Sequence, residues 1–198
     1  MAQYAALVDR GFFPEEVLAE YARDGGRLAE HPGPQCVPGI EAATGSLGHG
    51  LPMGAGLALA AKVRGQHHRT FVILSDGECY EGTVWEAALF APTQGLESLV
   101  AIVDYNGWSA MDRTDAVMTP FADKWHAFGW TVREIDGHDL RALTAALSEA
   151  PFEPGRPSAV IARTVKGKGV SFMEDDLEWH YRPPTDDDLR RALAEVGG

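Results

Sequence analysis

Four short, mostly apolar runs punctuate the middle of the chain. They are Thr70-Phe-Val-Ile-Leu-Ser75, Leu99-Val-Ala-Ile-Val-Asp104, Trp130-Thr-Val-Arg-Glu-Ile135 and Ala159-Val-Ile-Ala-Arg-Thr164. The first three run into Asp76-Gly77, Asn106-Gly107 and Asp136-Gly137, which stop a strand. Apolar runs of this length suit parallel strands covered on both faces. Segments of helical character lie around and between them: Leu51 to Arg64, rich in Ala, Leu and Met; Thr83 to Thr93; Pro120 to Phe128; and Asp139 to Ala150. A charged amphipathic stretch, Asp186 to Val196, closes the pattern. Strand–helix alternation predicts an α/β fold with a doubly wound, mostly parallel sheet and right-handed crossovers. The expectation is one domain over residues 1–198. Ligands bind such sheets at the carboxyl ends of the strands, so the residues just after each run matter most.

Composition narrows the function. Apolar residues make up 45% and charged residues 23% of the 198, which is globular and not disordered. The formal net charge of −12, without a basic stripe, argues against nucleic acid and anionic membranes as partners. No apolar run is long enough for a bilayer, and Met-Ala-Gln-Tyr does not begin a signal peptide. Cys36 and Cys79 make neither a disulfide framework nor a zinc site, so the expected setting is the reduced cytoplasm.

Two places carry candidate chemistry. Asp76 and Asn106 stand 30 residues apart, each at the end of a strand, with one helical crossover between them. Their side chains can meet at the same edge of the sheet. A carboxylate and a carboxamide oxygen suit Mg²⁺ or Ca²⁺, and Mg²⁺ completes its shell with water and phosphate oxygens. Gly77 would let a diphosphate approach the backbone, and the helix near Gly82 and Thr83 offers N–H groups and a positive dipole end. On spacing alone, Asp-Gly and Asn-Gly read equally well as turns. The second place is Thr44-Gly-Ser-Leu-Gly-His-Gly50, running into Leu51-Pro-Met-Gly-Ala-Gly56. Such a stretch either cradles a planar or anionic ligand or lets a helix pack closely.

Asp76-Gly77 followed by Asn106 resembles the thiamine diphosphate motif of the transketolase family. His31-Pro32, Pro38-Gly39-Ile40-Glu41, Thr44 to Gly48, Glu81-Gly82, Asp136-Gly137-His138-Asp139 and Lys166-Gly-Lys-Gly-Val-Ser-Phe172 follow in family order. Glu178-Trp179-His180 is similar to the last cofactor-contact segment of split, two-polypeptide transketolases. The resemblance implies that Asp76, Asn106 and the carbonyl of Trp108 ligate Mg²⁺, and that Gly77 and Glu78 lie against the diphosphate. It places Gly45, Ser46 and Leu47 at the aminopyrimidine. Glu81 would belong to a cross-subunit acidic relay, His31 would face the reactive carbon, and His180 would stand near the diphosphate and the donor carbonyl. Outside that set, Lys166 and Lys168 read as a lid or a surface, His138 as a turn residue beside a helix cap at Asp139, and Cys79 as a packing residue.

The reaction so implied moves a two-carbon ketol unit from a ketose (phosphate) donor to an aldehyde acceptor. In the family, the glutamate that activates the cofactor comes from a following domain on another subunit. Nothing in the 198 residues resembles that domain. The expectation is therefore one subunit of a heterotetramer, inactive without a partner that brings the glutamate. Ser-Gly-His-Pro-Gly and Lys-Gly-His, usual upstream of the segment matching Met1, are also missing, which implies an N-terminally shortened domain. Ser75, His49 and Trp108 stand where glycine, glutamine and an aliphatic residue are usual. Two other readings are a thiamine-dependent acyloin or deoxyketose-forming ligase acting on an α-keto acid, and a non-catalytic scaffold.

Overall fold

The computed structural model describes residues 1–197, in two compact units, Met1–Leu47 and the chain from Gly48 onward. The first unit holds α1 (Ala2–Asp9) and a 3-10 turn at Glu15–Glu20. Its core gathers Tyr4, Phe13, Val17, Leu28, Val37 and Ile40. The Tyr4 hydroxyl donates to the Ala29 carbonyl at 2.9 Å, so the buried ring keeps a partner for its polar end.

The second unit carries the sheet: β1 (Thr70–Ser75), β2 (Leu99–Tyr105), β3 (Thr131–Asp136) and β4 (Ser158–Arg163), in the order β1-β2-β4-β3, all parallel. Its helices are α2 (Gly50–Val63), α3 (Gly82–Thr93), α4 (Asp115–Met118), α5 (Phe121–Ala127), α6 (Leu140–Glu149) and α7 (Asp186–Val196). The expected α/β class and parallel sheet are therefore present. Among the described residues, no helix is long and apolar enough to cross a membrane.

Burial follows position in the sheet. The central strands β2 and β4 are buried along nearly their whole length. The edge strand β1 alternates: Val72 and Leu74 enter the core while Phe71 and Ile73 remain 44% and 74% exposed. The core unites α2, α3 and the inward residues of the sheet with Trp125 and Trp130. Those two rings meet edge to face, with centroids 5.0 Å apart. Strand β3 begins at Thr131, one residue later than the apolar run suggests. Trp130 is committed to the core, where its Nε1 donates to the Ala88 carbonyl at 2.8 Å, and pairing starts at Thr131 opposite Ser158.

The glycines of α2 do two jobs. A Cβ on Gly54 would fall 2.3 Å from Val72 Cγ2, so this glycine lets α2 lie directly on β1. A Cβ on Gly56 would meet nothing within 4 Å. Gly54→Ala should therefore destabilise the chain by about 1–3 kcal/mol through overpacking. Gly56→Ala should stabilise it by about 0.5–1 kcal/mol through helix propensity. Urea unfolding of the two variants reads both signs.

Candidate functional site at the carboxyl ends of β1 and β2

Parallel pairing sets Ser75 opposite Asp104, which places Asp76 and Asn106 at the same edge of the sheet. The Asp76 amide donates to the Asp104 carbonyl at 3.2 Å. The Asp76 side chain is 0% exposed. Its Oδ1 accepts from the Gly77 amide at 3.1 Å, and its Oδ2 accepts from the Gly107 amide at 2.9 Å and the Thr114 hydroxyl at 2.5 Å. Burial raises the Asp76 carboxyl above its ordinary range, and the bonds from Thr114, Gly107 and Gly77 pull it back. Among the described residues no cation pairs with it.

Asn106 begins the loop after β2. Its Oδ1 accepts from the Trp108 amide at 3.0 Å and closes a tight turn. A Cβ built on Gly77 would stand 3.0 Å from Ser109 Cα and 3.4 Å from the Trp108 carbonyl oxygen, so only glycine leaves this approach uncrowded. A buried carboxylate, a carboxamide and a backbone carbonyl thus come from two adjacent loops. That all-oxygen set suits a hard cation that keeps part of its shell for water or phosphate. No group of three or more His, Cys, Asp or Glu side chains able to hold a metal occurs among the described residues.

The segment after Asp76 turns through a 3-10 stretch, Gly77–Tyr80, before α3. Ser75 takes a definite part there: its hydroxyl accepts from the Glu78 amide at 3.0 Å. The Glu78 carboxylate accepts from the Gly48 amide at 2.8 Å, and the Thr83 hydroxyl donates to the Gly48 carbonyl at 2.9 Å. Glu78 and Thr83 thus tie the start of α2 to the start of α3. Glu81, exposed, is the N-cap residue of α3. Cys79 is fully buried, and burial drives its thiol pKa far upward, as befits a packing residue.

His31, Gly45, Ser46 and Leu47 belong to the first unit. Gly45 has φ +122°, and a Cβ there would fall 2.6 Å from His31 Cγ, so the exposed imidazole rests on the glycine backbone. His31 also lines a cavity of about 400 Å³ with Arg23, Asp24 and Glu30. Ser46 and Leu47 are exposed at the end of this unit.

His180 ends a 3-10 turn at Leu177–His180. Its Nδ1 lies 3.4 Å from Lys166 Nζ. Partial burial, then the Lys166 charge, lowers its pKa and favours the neutral ring. His138 Nε2 accepts from the Val165 amide at 2.8 Å, and Asp139 caps α6 through the Arg141 and Ala142 amides. Both act in the loops at this edge of the sheet.

A larger groove, about 550 Å³, is lined by Lys62, His67, Arg69, Ser98 and Gly155, at the opposite, amino ends of the strands. Its cations are already spent on carbonyls: Lys62 Nζ donates to Gln94 at 2.6 Å and Arg69 to Leu147 at 2.6 Å. The hard-oxygen donors are not there.

The sequence pattern did not reveal Thr114, nor Tyr105, whose buried hydroxyl bonds Asp115 and is pushed up to about 12 by burial and that carboxylate. Neither follows from spacing, because the loop folds back over β2.

Comparison with known proteins agrees with this architecture. The sequence model of the family described as transketolase, thiamine diphosphate binding domain, matches residues 1–197. An apulose-4-phosphate transketolase subunit of Actinobacillus succinogenes is 40% identical over 195 residues, covering 98% of this chain and 70% of that protein. The 6-deoxy-6-sulfo-D-fructose transketolase subunit SqwG of a Clostridium species is 39% identical over 197 residues, covering 98% and 72%. Among solved structures, the transketolase of Leishmania mexicana superposes with a TM-score of 0.84 at 31% identity, over 92% of this chain and 29% of that one. The chain belongs to the transketolase family, and the family's thiamine diphosphate binding domain spans the described residues.

Thr114→Val keeps the shape of the side chain and removes a donor to a buried carboxylate. It should destabilise the chain by about 1.5–3 kcal/mol, as measured by urea unfolding.

Proposed function

We propose that this chain is the cofactor-binding subunit of a split transketolase. It would transfer a two-carbon ketol unit from a ketose (phosphate) donor to an aldehyde acceptor, together with a partner polypeptide. One observation carries the reading: the Asp76 carboxylate is buried beside a carboxamide and a backbone carbonyl, with no cation paired to it among the described residues. A buried anion is costly unless a positive charge meets it, and a Mg²⁺ ion carrying a diphosphate supplies that charge.

In this reading Asp76, Asn106 and the Trp108 carbonyl hold Mg²⁺. Gly77 gives the diphosphate room, and Glu78 fixes the Gly48 loop beside it. Gly45, Ser46 and Leu47 offer backbone groups to the aminopyrimidine. Thiamine diphosphate, when bound, supplies the carbanion chemistry that breaks and remakes the bond beside the ketose carbonyl. The protein's part is placement and proton handling. Glu81 holds a proton in an acidic relay reaching toward the partner's glutamate. His31 faces the reacting carbon. His180, kept neutral, donates a hydrogen bond to the donor carbonyl.

Several relatives are named as transketolase subunits, which supports a partner polypeptide, and the assembly proposed is a heterotetramer. Two of those names specify substrates, apulose 4-phosphate and 6-deoxy-6-sulfo-D-fructose. Both are anionic sugars, which supports an anionic ketose as donor here.

Calorimetry of the chain mixed with its partner should show thiamine diphosphate binding that requires Mg²⁺. Asp76→Ala should abolish that requirement together with tight binding; an unchanged affinity refutes the metal site. Glu81→Ala should lower turnover of the assembled enzyme by about 10²-fold or more, the usual worth of a proton-transfer group. Its cofactor affinity should change far less, and equal losses in both measurements refute a relay role.

A further inference from the structure

The ring of Trp108, in the loop after β2, has a definite place. Its Nε1 donates to Asp175 Oδ1 at 2.8 Å. Arg113 lies over the same ring, with Cζ 3.9 Å from the centroid, and donates from Nη2 to Asp175 Oδ2 at 2.6 Å. Trp108 and Arg113 are also joined by an isolated antiparallel bridge. One carboxylate therefore receives an indole and a guanidinium that stack on each other. Asp175 reaches this position from a left-handed backbone, φ +56°, with its amide donating to the Lys166 carbonyl at 2.9 Å. A second tie lies nearby: the Tyr181 hydroxyl donates to the Ala110 carbonyl at 2.7 Å.

These contacts join two pieces of chain remote in sequence. One is the loop 107–113, which follows Asn106. The other is the segment 166–181, which begins with Lys166 and carries His180. The segment is folded on itself: Trp179 Nε1 donates to the Phe172 carbonyl at 2.9 Å, and the Phe172 and Trp179 rings meet edge to face. Ser171 ties its far side to Glu195 of α7 at 2.9 Å. On the side of the candidate site, Asp175 and Tyr181 moor it. An exposed ion pair alone contributes little. Here the two donors share one acceptor and stack on one another, so their effects are coupled.

We propose that Trp108, Arg113 and Asp175 are positioning residues: they clasp the segment 166–181 to the loop after β2, and so set where Lys166 and His180 stand toward an anionic ligand held by Asp76 and Asn106. The clasp itself stands on the geometry, and its consequence for the ligand rests on the cofactor reading above.

Hydrogen exchange of the full-length chain tests the clasp without ligand or partner. In Asp175→Ala, amides of residues 166–181 should exchange about tenfold faster, the factor one charge-assisted hydrogen bond is worth. Amides of β1 and β2 should keep their rates. Arg113→Ala should act in the same direction, and the double variant should be no faster than Asp175→Ala. Asp175→Asn, which keeps an oxygen for the indole N–H, should restore part of the protection. Unchanged rates in 166–181, equal acceleration across the sheet, additive single variants, or an Asn variant as loose as Ala would each overturn the clasp.

Calorimetry with thiamine diphosphate and Mg²⁺ on the assembled complex tests its consequence. Asp175→Ala should weaken binding several-fold, and Asp175→Asn should recover part of the loss. Equal affinity of wild type and Asp175→Ala refutes the positioning role alone. A wild-type complex that does not bind refutes the cofactor reading and the ligand role together, while the exchange result still decides the clasp.

Discussion

The local structure of the site depends on one buried carboxylate. Asp76 sits at the first position beyond β1, out of contact with water, and three donors converge on it from two loops. Two of those donors, Gly107 and Thr114, bracket the loop after β2 and close it over the strand ends. The same bonds keep the charged form accessible against the cost of burial. Removing the carboxylate would therefore loosen the loop as well as the anion it presents. Structure and chemistry are the same interaction here.

What positions that carboxylate is ordinary packing. Strand β1 is held in register by β2, and β2, flanked in the sheet by β1 and β4, is buried along nearly its whole length and shares its core with α2 and α3. Gly54 lets α2 lie against Val72, two residues into β1. The ends of the strands are thus fixed before any ligand arrives, as preorganised binding requires. The segment 166–181 has no sheet to fix it. It depends on side-chain contacts such as the bond between Tyr181 and Ala110.

Much of this was legible in the sequence for a physical reason. Continuous apolar runs specify buried parallel strands, and a parallel crossover returns the chain to the same edge. Asp76 and Asn106 could therefore be placed together from spacing and strand ends. The glycine-rich stretch before residue 57 left two readings open. Close helix packing holds at Gly54, and the contact with His31 at Gly45 is of another kind. The roles of Thr114 and Asp175 are not legible in the sequence, because their contacts depend on how two irregular loops fold back, which no periodicity encodes. Helix α1 and the core around Tyr4 also lay outside the pattern. One residue of error at β3 came from Trp130, an apolar residue that serves the core and not the ladder.

The pairing of Ser75 with Asp104 has a consequence for how this sequence can change over time. Successive residues of a strand point to opposite faces, so adding or deleting one residue between Thr70 and Asp76 would turn the carboxylate away from its donors. The exposed turn from Gly65 to His68, between α2 and β1, carries no such phase. Length variation among descendants should accumulate there and be purged from the strand ends, even where no individual side chain is under selection.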